Sequence, residues 1–479
     1  MLAMLIAAPA LLCVGIATVT DPDIWWHLRA GQWMMQHHAL LRVDPFSIGG
    51  AGKPWQAYSW LYELLVIQLF QRFGLVGMVG YSTAMVFAIT LALWHLIKRL
   101  QPNVALTGVV LIATCLSFGH LVTPRPWMFT ILFFVFEIDI LMHARKTGRV
   151  IELAWLPLIF ALWSNIHIEF IDGLMVLGLA LAEAIVTSRG IGDKTRLRTP
   201  WIFAAFTGSV LATLVNPYGW GVYSVGFDYI HRLISHMAAD SGGLNSISEL
   251  QAMPFRDIID FSVLFLALAA AAALTSRRRF QVFEIGLLLF GMVVSFRSRR
   301  DVWVIAIAAA AILASSIRAR ATAPDAAPSR WSARLAIAAA ALLVLIAFRA
   351  THRNDTVLQA QVAKALPVAA VDEIRARGYP GPLYNDFTWG GYVMWALRMP
   401  VNIDGRAAFY GDAAINRSDA TWMAAPDWAS DPQLKAANLV LGPARMPLSQ
   451  ELRMDPEWLL AYEDQVAVIF VRKSANAAK

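Results

Sequence analysis

Apolar runs of roughly 17–25 residues, the length that crosses a hydrocarbon core as a helix, recur along the first three quarters of the chain. They fall near 2–19, 76–97, 104–122, 127–143, 151–165, 172–187, 200–215, 260–275, 280–296, 302–317 and 333–349. The pattern predicts a helix at each, about eleven spans in all. The semi-apolar stretch 57–74 carries Glu63, and its internal acid predicts a helix lying in the membrane interface rather than crossing. Residues 319–332, rich in Ala, Pro and Ser, form a linker before the last apolar run. After about residue 353 the runs shorten to strand length. Positions 382–384, 401–403, 438–441, 459–462 and 465–472 predict strands, and 357–377 predicts a helix. Two domains follow: a helical domain over 1–350 with a polar first loop at 20–75, and an α/β tail over 351–479. At about 125 residues the tail is long enough to bury a core of its own.

Composition sharpens the class. With 58% hydrophobic and 15% charged residues among 479, the chain falls far below the charge content of a soluble domain, near a quarter. The expected fold is therefore a polytopic α-helical membrane protein with a C-terminal extracytoplasmic α/β domain. The net charge of +7 reports topology rather than nucleic-acid binding, since its cations gather in short loops. If the amino terminus is cytoplasmic, Lys98-Arg99, Arg145–Arg149, Arg189–Arg198, Arg277–Arg279 and Arg318–Arg334 all lie inside, as cationic loops should. The first run lacks a basic leader and a small-residue cleavage site, so it reads as a retained anchor rather than a signal peptide. Cys13 and Cys115 stand far apart and offer no disulfide framework. The expected location is a bacterial inner membrane with the tail on the periplasmic side.

With that orientation the unusual polar residues fall on the outer face. Foremost is Asp21-Pro-Asp-Ile-Trp-Trp-His27, directly after the first span. Pro22 biases Asp21 toward extended backbone, where residues two apart share a face, so Asp21 and Asp23 could converge on a hydroxyl or a divalent cation. Asp21 also suits a helix cap, with Pro22 as first helical residue and Asp23 favouring the helix dipole. The helix that follows would set Ile24, Leu28 and Met35 on one face and use Trp25, Trp26 and Trp33 as interfacial anchors. His27 reads either as a functional group or as an interfacial histidine.

Asn165, His167 and Glu169 alternate with apolar residues at the mouth of a span, where ionisable groups are costly and point to function; a helix end emerging into water is the plainer account. Arg297, Arg299 and Arg300 stand against the positive-inside trend. They suit either a bound phosphate or snorkelling to lipid headgroups. Arg125, between two prolines, marks a rigid turn, and Asn216-Pro-Tyr-Gly219 a turn ending a span.

An acid in the first external loop, juxtamembrane helices, about eleven spans and an external C-terminal domain together resemble the GT-C superfamily of membrane glycosyltransferases. The Asp-x-Asp-x-Trp-Trp-His, Trp163-x-Asn165-x-His167, Asn-Pro-Tyr-Gly, Trp-Gly-Gly-Tyr and Asp-Gly-Arg motifs are similar to those of a group of uncharacterised bacterial polytopic proteins. The segment Thr388-Trp389-Gly-Gly-Tyr392, with Asp404-Gly-Arg406, also resembles the Trp-Trp-Asp-Tyr-Gly region that contacts acceptor peptide in oligosaccharyltransferase catalytic subunits. It lacks that region's second Trp and its Asp, and no second Asp-x-Asp follows in a later external loop. The resemblance implies an inverting transfer of sugar from a polyprenyl-phosphate donor to a lipid, glycan or protein acceptor at the outer membrane surface. By that resemblance Asp21 or Asp23 is the base.

The expected mechanism has Asp21 take the acceptor proton while Asp23, His27 and His167 orient the acceptor. Arg297, Arg299 or Arg300 would hold the phosphate, with Arg125, Asn165 and Glu169 also on the substrate. Trp389, Tyr392, Asp404 and Arg406 would close over the acceptor, or serve a strand–turn motif with glycines for backbone reasons. A divalent cation, if bound, would sit on Asp21, Asp23 and His27. Donor lipid and membrane lipids are the expected partners, with polysaccharide-assembly proteins alongside and no nucleic acid. Two other classes fit the same topology: a transporter or flippase of lipid-linked glycans, and a non-catalytic subunit of a polysaccharide assembly system.

Overall fold

A computed structural model of the chain describes residues 2–16, 19–101, 103–191, 195–227, 248–276, 281–316, 330–351 and 354–476. Most of the expected linker 319–332, much of the loop 216–258 and the cations Arg277–Arg279 lie outside the described residues. Each of the eleven expected apolar segments falls on a helix. Among the described residues five helices are long and apolar enough to cross a membrane: Trp60–Leu100, Trp127–Thr147, Phe170–Ser188, Ile258–Thr275 and Trp331–Ala350. Their apolar side chains are not all packed inside. Phe265, Leu268, Leu335 and Leu342 are more than half exposed, a surface that water would not tolerate and lipid would. The chain is a multi-pass membrane protein.

Helix starts follow the polar residues that precede the apolar runs. Asn103 Oδ1 accepts from Leu106 N–H at 2.9 Å, Asp257 Oδ1 accepts from Ile259 and Asp260 N–H, and Asn354 Oδ1 accepts from Val357 N–H. Each satisfies donors that the first helical turn leaves open. The stretch 57–74 does begin a helix, but that helix runs on to Leu100 through a break at Gly74, with φ 59° and ψ −147°. A Cβ at Gly74 would lie 1.9 Å from the carboxylate of Asp355, whose other oxygen accepts from Val76 N–H.

Packing divides the chain into two units, and not at residue 350. The first comprises Met1–Ala17, Val79–Gly226 and Glu249–His352. The second comprises Thr18–Met78, Phe227–Ser248 and Arg353–Lys479. The first loop, expected within the helical domain, therefore clusters with the tail. In the first unit the helix Val302–Ser316 is buried along nearly its whole length, and its small alanines let neighbouring helices approach.

In the second unit four strands form a sheet in the order β1-β2-β4-β3: β1 Leu383–Asn385, β2 Leu439–Pro443, β3 Trp458–Glu463 and β4 Ala467–Arg472. β1 and β2 are parallel, and the other neighbours antiparallel. The β3–β4 turn forms where the sequence puts Glu463-Asp464, with Asp464 Oδ1 accepting from Val466 and Ala467 N–H. Tyr384, Val440, Val468 and Phe470 meet Trp422, Leu448 and Trp458 in the core.

Two expectations for the tail fail on physical grounds. Residues 357–377 form two helices, Asp355–Ala365 and Val368–Arg377, because Pro367 lacks the N–H that a continuous helix requires. Residues 401–403 join no sheet. Val401 instead bridges Ser47 of the first loop, its N–H donating to Phe46 O while its carbonyl accepts from Ile48 N–H.

Gly74→Ala should lower stability by about 1–3 kcal/mol, through its left-handed φ and its close neighbour Asp355. Gly52 also has positive φ, yet a Cβ there would meet nothing within 4 Å. Gly52→Ala should therefore cost less, and thermal unfolding of the purified chain distinguishes the two.

Candidate functional site

The polar residues singled out above separate into two clusters, one in each unit. In the second unit, the first-loop helix Asp23–His37 packs on the tail helix Gly390–Leu397. Trp25 is 4% exposed, so it is no interfacial anchor. It meets Tyr392 edge-on at 5.1 Å, and Trp395 and Phe70 beyond it. His27 is buried too, its Nδ1 3.2 Å from Glu63 Oε1. Met34 rather than Met35 completes the buried face with Ile24 and Leu28.

The glycines of both tail motifs stand where backbones approach. A Cβ at Gly390 would fall 2.0 Å from Ile403 O, one at Gly391 2.9 Å from Pro22 O, and one at Gly405 2.0 Å from Asp23 Oδ1. Trp-Gly-Gly-Tyr, Asp-Gly-Arg and Asp-Pro-Asp thus interlock through positions with no side chain. Asp21 Oδ1 accepts from Asp23 N–H at 2.9 Å, the capping bond that Asp-Pro-Asp allows, while both carboxylates stay half-buried.

At the centre of this unit is Arg406. Its guanidinium donates to both oxygens of Asp404, at 2.8 and 2.7 Å, and to Asp44 Oδ1 at 2.9 Å. It lies over Trp55, 4.4 Å from the ring centroid, with Phe409 at 5.0 Å. Asp44 also accepts from Phe46 N–H, Ser47 N–H and the Ser47 hydroxyl. Burial disfavours the charge on Arg406, but Asp404, Tyr410 and Asp44 outweigh it and raise its pKa well above the ordinary range. Tyr410 donates to Asp404 at 2.5 Å, and burial beside that acid pushes its phenol well up. Asn385, fully buried at the end of β1, donates to Asp386 O and Ile403 O and accepts from Asn402 N–H. Burial raises the carboxyl of Asp386 next to it.

The first unit holds the other cluster. Glu169 lies between His167 Nδ1 at 3.2 Å and Arg300 at 3.2 Å, and Arg300 Nε is 3.6 Å from Asp301. Thr130 Oγ1 is 3.0 Å from His167 Nδ1 and accepts from Trp163 Nε1 at 2.8 Å, which fixes the imidazole. Burial works to raise Glu169, but His167 and Arg300 pull it below its usual value. Asp301 goes the other way: burial pushes it up to about 6 against the pull of Arg300.

The neighbouring residues have structural partners. Asn165 Nδ2 donates to Ala161 O and Val215 O, and Asn216 Nδ2 returns to Ser164 O, latching two helix ends together. Arg125 pairs with Glu249 at 3.1 Å and covers Trp127. Arg299 pairs with Asp257 at 2.6 Å and Asp260 at 3.3 Å. Among the described residues Arg297 makes no ion pair. No three His, Cys, Asp or Glu side chains among the described residues are gathered as a metal site, and His27 is turned to Glu63. Asp21, Asp23 and His27 do not fit a cation as a set.

Asp44, Trp55, Glu63, Asn385, Asp386 and Tyr410 were not anticipated. Asn385-Asp386 was within reach, as a polar pair directly after an apolar strand. Asp44 and Arg406 stand 362 positions apart, and no periodicity links them.

No protein family's sequence profile matches this chain, and no curated protein matches it. Solved structures do. The apo oligosaccharyltransferase of Archaeoglobus fulgidus aligns with 92% of this chain and 69% of its own, at TM-score 0.55 and 13% identity. The same enzyme tethered to an acceptor peptide containing the NVT sequon aligns with 92% of this chain and 68% of its own, at TM-score 0.52 and 11% identity. ArnT from Cupriavidus metallidurans, bound to undecaprenyl phosphate, covers 98% of this chain and 97% of its own at TM-score 0.47 and 12% identity. The chain shares the fold of the archaeal oligosaccharyltransferase.

A carboxyl raised by the fold holds its proton more tightly folded than unfolded. Its contribution to stability is therefore present at low pH and lost as pH rises from the ordinary 3.8 toward about 6. Asp301→Asn should remove that loss. Thermal midpoints across this interval should fall more steeply with pH in the parent chain than in the variant.

Proposed function

We propose that this chain is a glycosyltransferase that moves a sugar from a polyprenyl-phosphate-linked donor to a hydroxyl of a lipid, glycan or protein acceptor. The observation that carries the reading is the fold, shared over 92% of the chain with an archaeal oligosaccharyltransferase. That protein's peptide-tethered form makes an acceptor bound outside the lipid a reasonable expectation. The reaction is an inverting displacement at the outer face of the membrane. The acceptor oxygen bonds to the anomeric carbon, its proton passes to a carboxylate, the bond from that carbon to the phosphate oxygen breaks, and polyprenyl phosphate leaves.

Asp21 is the favoured base, ahead of Asp23. It is half-buried, and its capping bond to Asp23 N–H fixes its orientation, whereas Asp23 is packed on Gly405. A positioned base contributes about 10²–10⁴ in rate. Arg297 best suits the lipid phosphate, because Arg299 and Arg300 already hold carboxylates. Stabilising the departing phosphate is electrostatic work suited to a guanidinium. His167 and Glu169 orient the polar end of a substrate, and Trp389, Tyr392, Asp404 and Arg406 act as positioning residues for Asp21. No step is routed through a metal.

Purified protein incubated with polyprenyl-phosphate sugars and membrane lipid should transfer sugar. Asp21→Asn should lower the rate about 10²–10⁴-fold with unfolding temperature unchanged. Full activity in both Asp21→Asn and Asp23→Asn, or glycolipid flipping in proteoliposomes without transfer, would overturn the reading.

A further inference from the structure

Next to the Arg406 cluster, within the second unit, is a cavity of about 250 Å³ bounded by first-loop residues Gly49 and Lys53 and by the tail. Pockets for drug-sized ligands run from about 300 Å³ upward, so an occupant of monosaccharide size is implied. Asn402 lines this cavity and is 3% exposed. Gln433 adds an amide to the wall.

The charges decide the ligand's sign. Asp431 also lines the cavity, but its carboxylate is already used. It accepts from Gln433 and Leu434 N–H at the start of a short helix, and from the hydroxyls of Tyr384 and Thr421. Lys53 and Arg417 line the cavity and are exposed, and among the described residues neither has a carboxylate partner. Two unmatched cations beside the Gln433 amide describe a site for a small, hydroxyl-rich anion.

We propose that this cavity binds an acidic monosaccharide, a hexuronate unit, with its carboxylate at Lys53 and Arg417 and a hydroxyl on Gln433. The site is separate from Asp21 and stands whether or not the chain transfers sugar, because its test reads binding alone.

Full-length protein in detergent should bind glucuronate saturably by titration calorimetry, more tightly than glucose or inorganic phosphate. Arg417→Ala, at an exposed position, should weaken binding by about tenfold or more, the loss of a charge-assisted bond. Ala414→Phe, which fills the cavity, should abolish it. Methyl glucuronide binding as well as glucuronate would identify the occupant as a unit of a glycan. Weaker methyl glucuronide binding would identify the free acid. No glucuronate binding, phosphate binding equally well, or affinity unchanged in both variants would overturn the proposal.

Discussion

Arg406 is the constraint around which the second unit is organised. Its guanidinium is 3% exposed, and it joins Asp44 of the first loop to Asp404 of the tail. A charge taken that far from water costs several kcal/mol, and only close partners return it. Here the partners are two carboxylates, Tyr410 and the face of Trp55. Such a group is intolerant of partial assembly: if the first loop were displaced, Arg406 would lose Asp44, Trp55 and the cover of Phe46 together. That makes the first loop part of a folded domain. It also fixes the helix carrying Asp23 and His27, with Asp21 just before it, because Gly405 receives Asp23 and Gly391 receives the backbone at Pro22. The proposed catalytic carboxylate is thereby oriented by residues nearly four hundred positions away.

The two polar clusters use burial differently. In the second unit the charges are matched, so the cluster is a rigid support. In the first unit Glu169 stands 3.2 Å from both His167 and Arg300, and Arg300 is 3.6 Å from Asp301, longer than the 2.7–2.9 Å contacts that Arg406 makes with its acids.

Much of the fold was legible in the sequence because its signals are local. Apolar runs gave helices at every expected segment, and the strands expected on either side of Glu463-Asp464 form a hairpin. What was not legible depends on distant partners. Val401-Asn-Ile403 has the composition of a strand, but its hydrogen bonds go to Phe46 and Ile48. Trp25 and Trp26 resemble an interfacial pair until Tyr392 covers the first of them. The motifs of the site were visible as unusual residue strings, and Asp-Pro-Asp closes a local bond from Asp23 N–H to Asp21 Oδ1 where the helix begins. Their convergence was not visible, since Gly390, Gly391 and Gly405 owe their identity to atoms that approach from elsewhere in the chain.

Through Arg406 the first loop and the tail fold as one unit. A double-mutant cycle tests this directly, with Arg406→Met and Asp44→Asn made singly and together and unfolding free energy measured for each. Removing the guanidinium alone strands two buried acids, at a cost of about 3–5 kcal/mol. Adding Asp44→Asn should relieve part of that cost, giving a coupling of about 1 kcal/mol or more. Strictly additive effects would contradict the account and leave the first loop energetically independent of the tail.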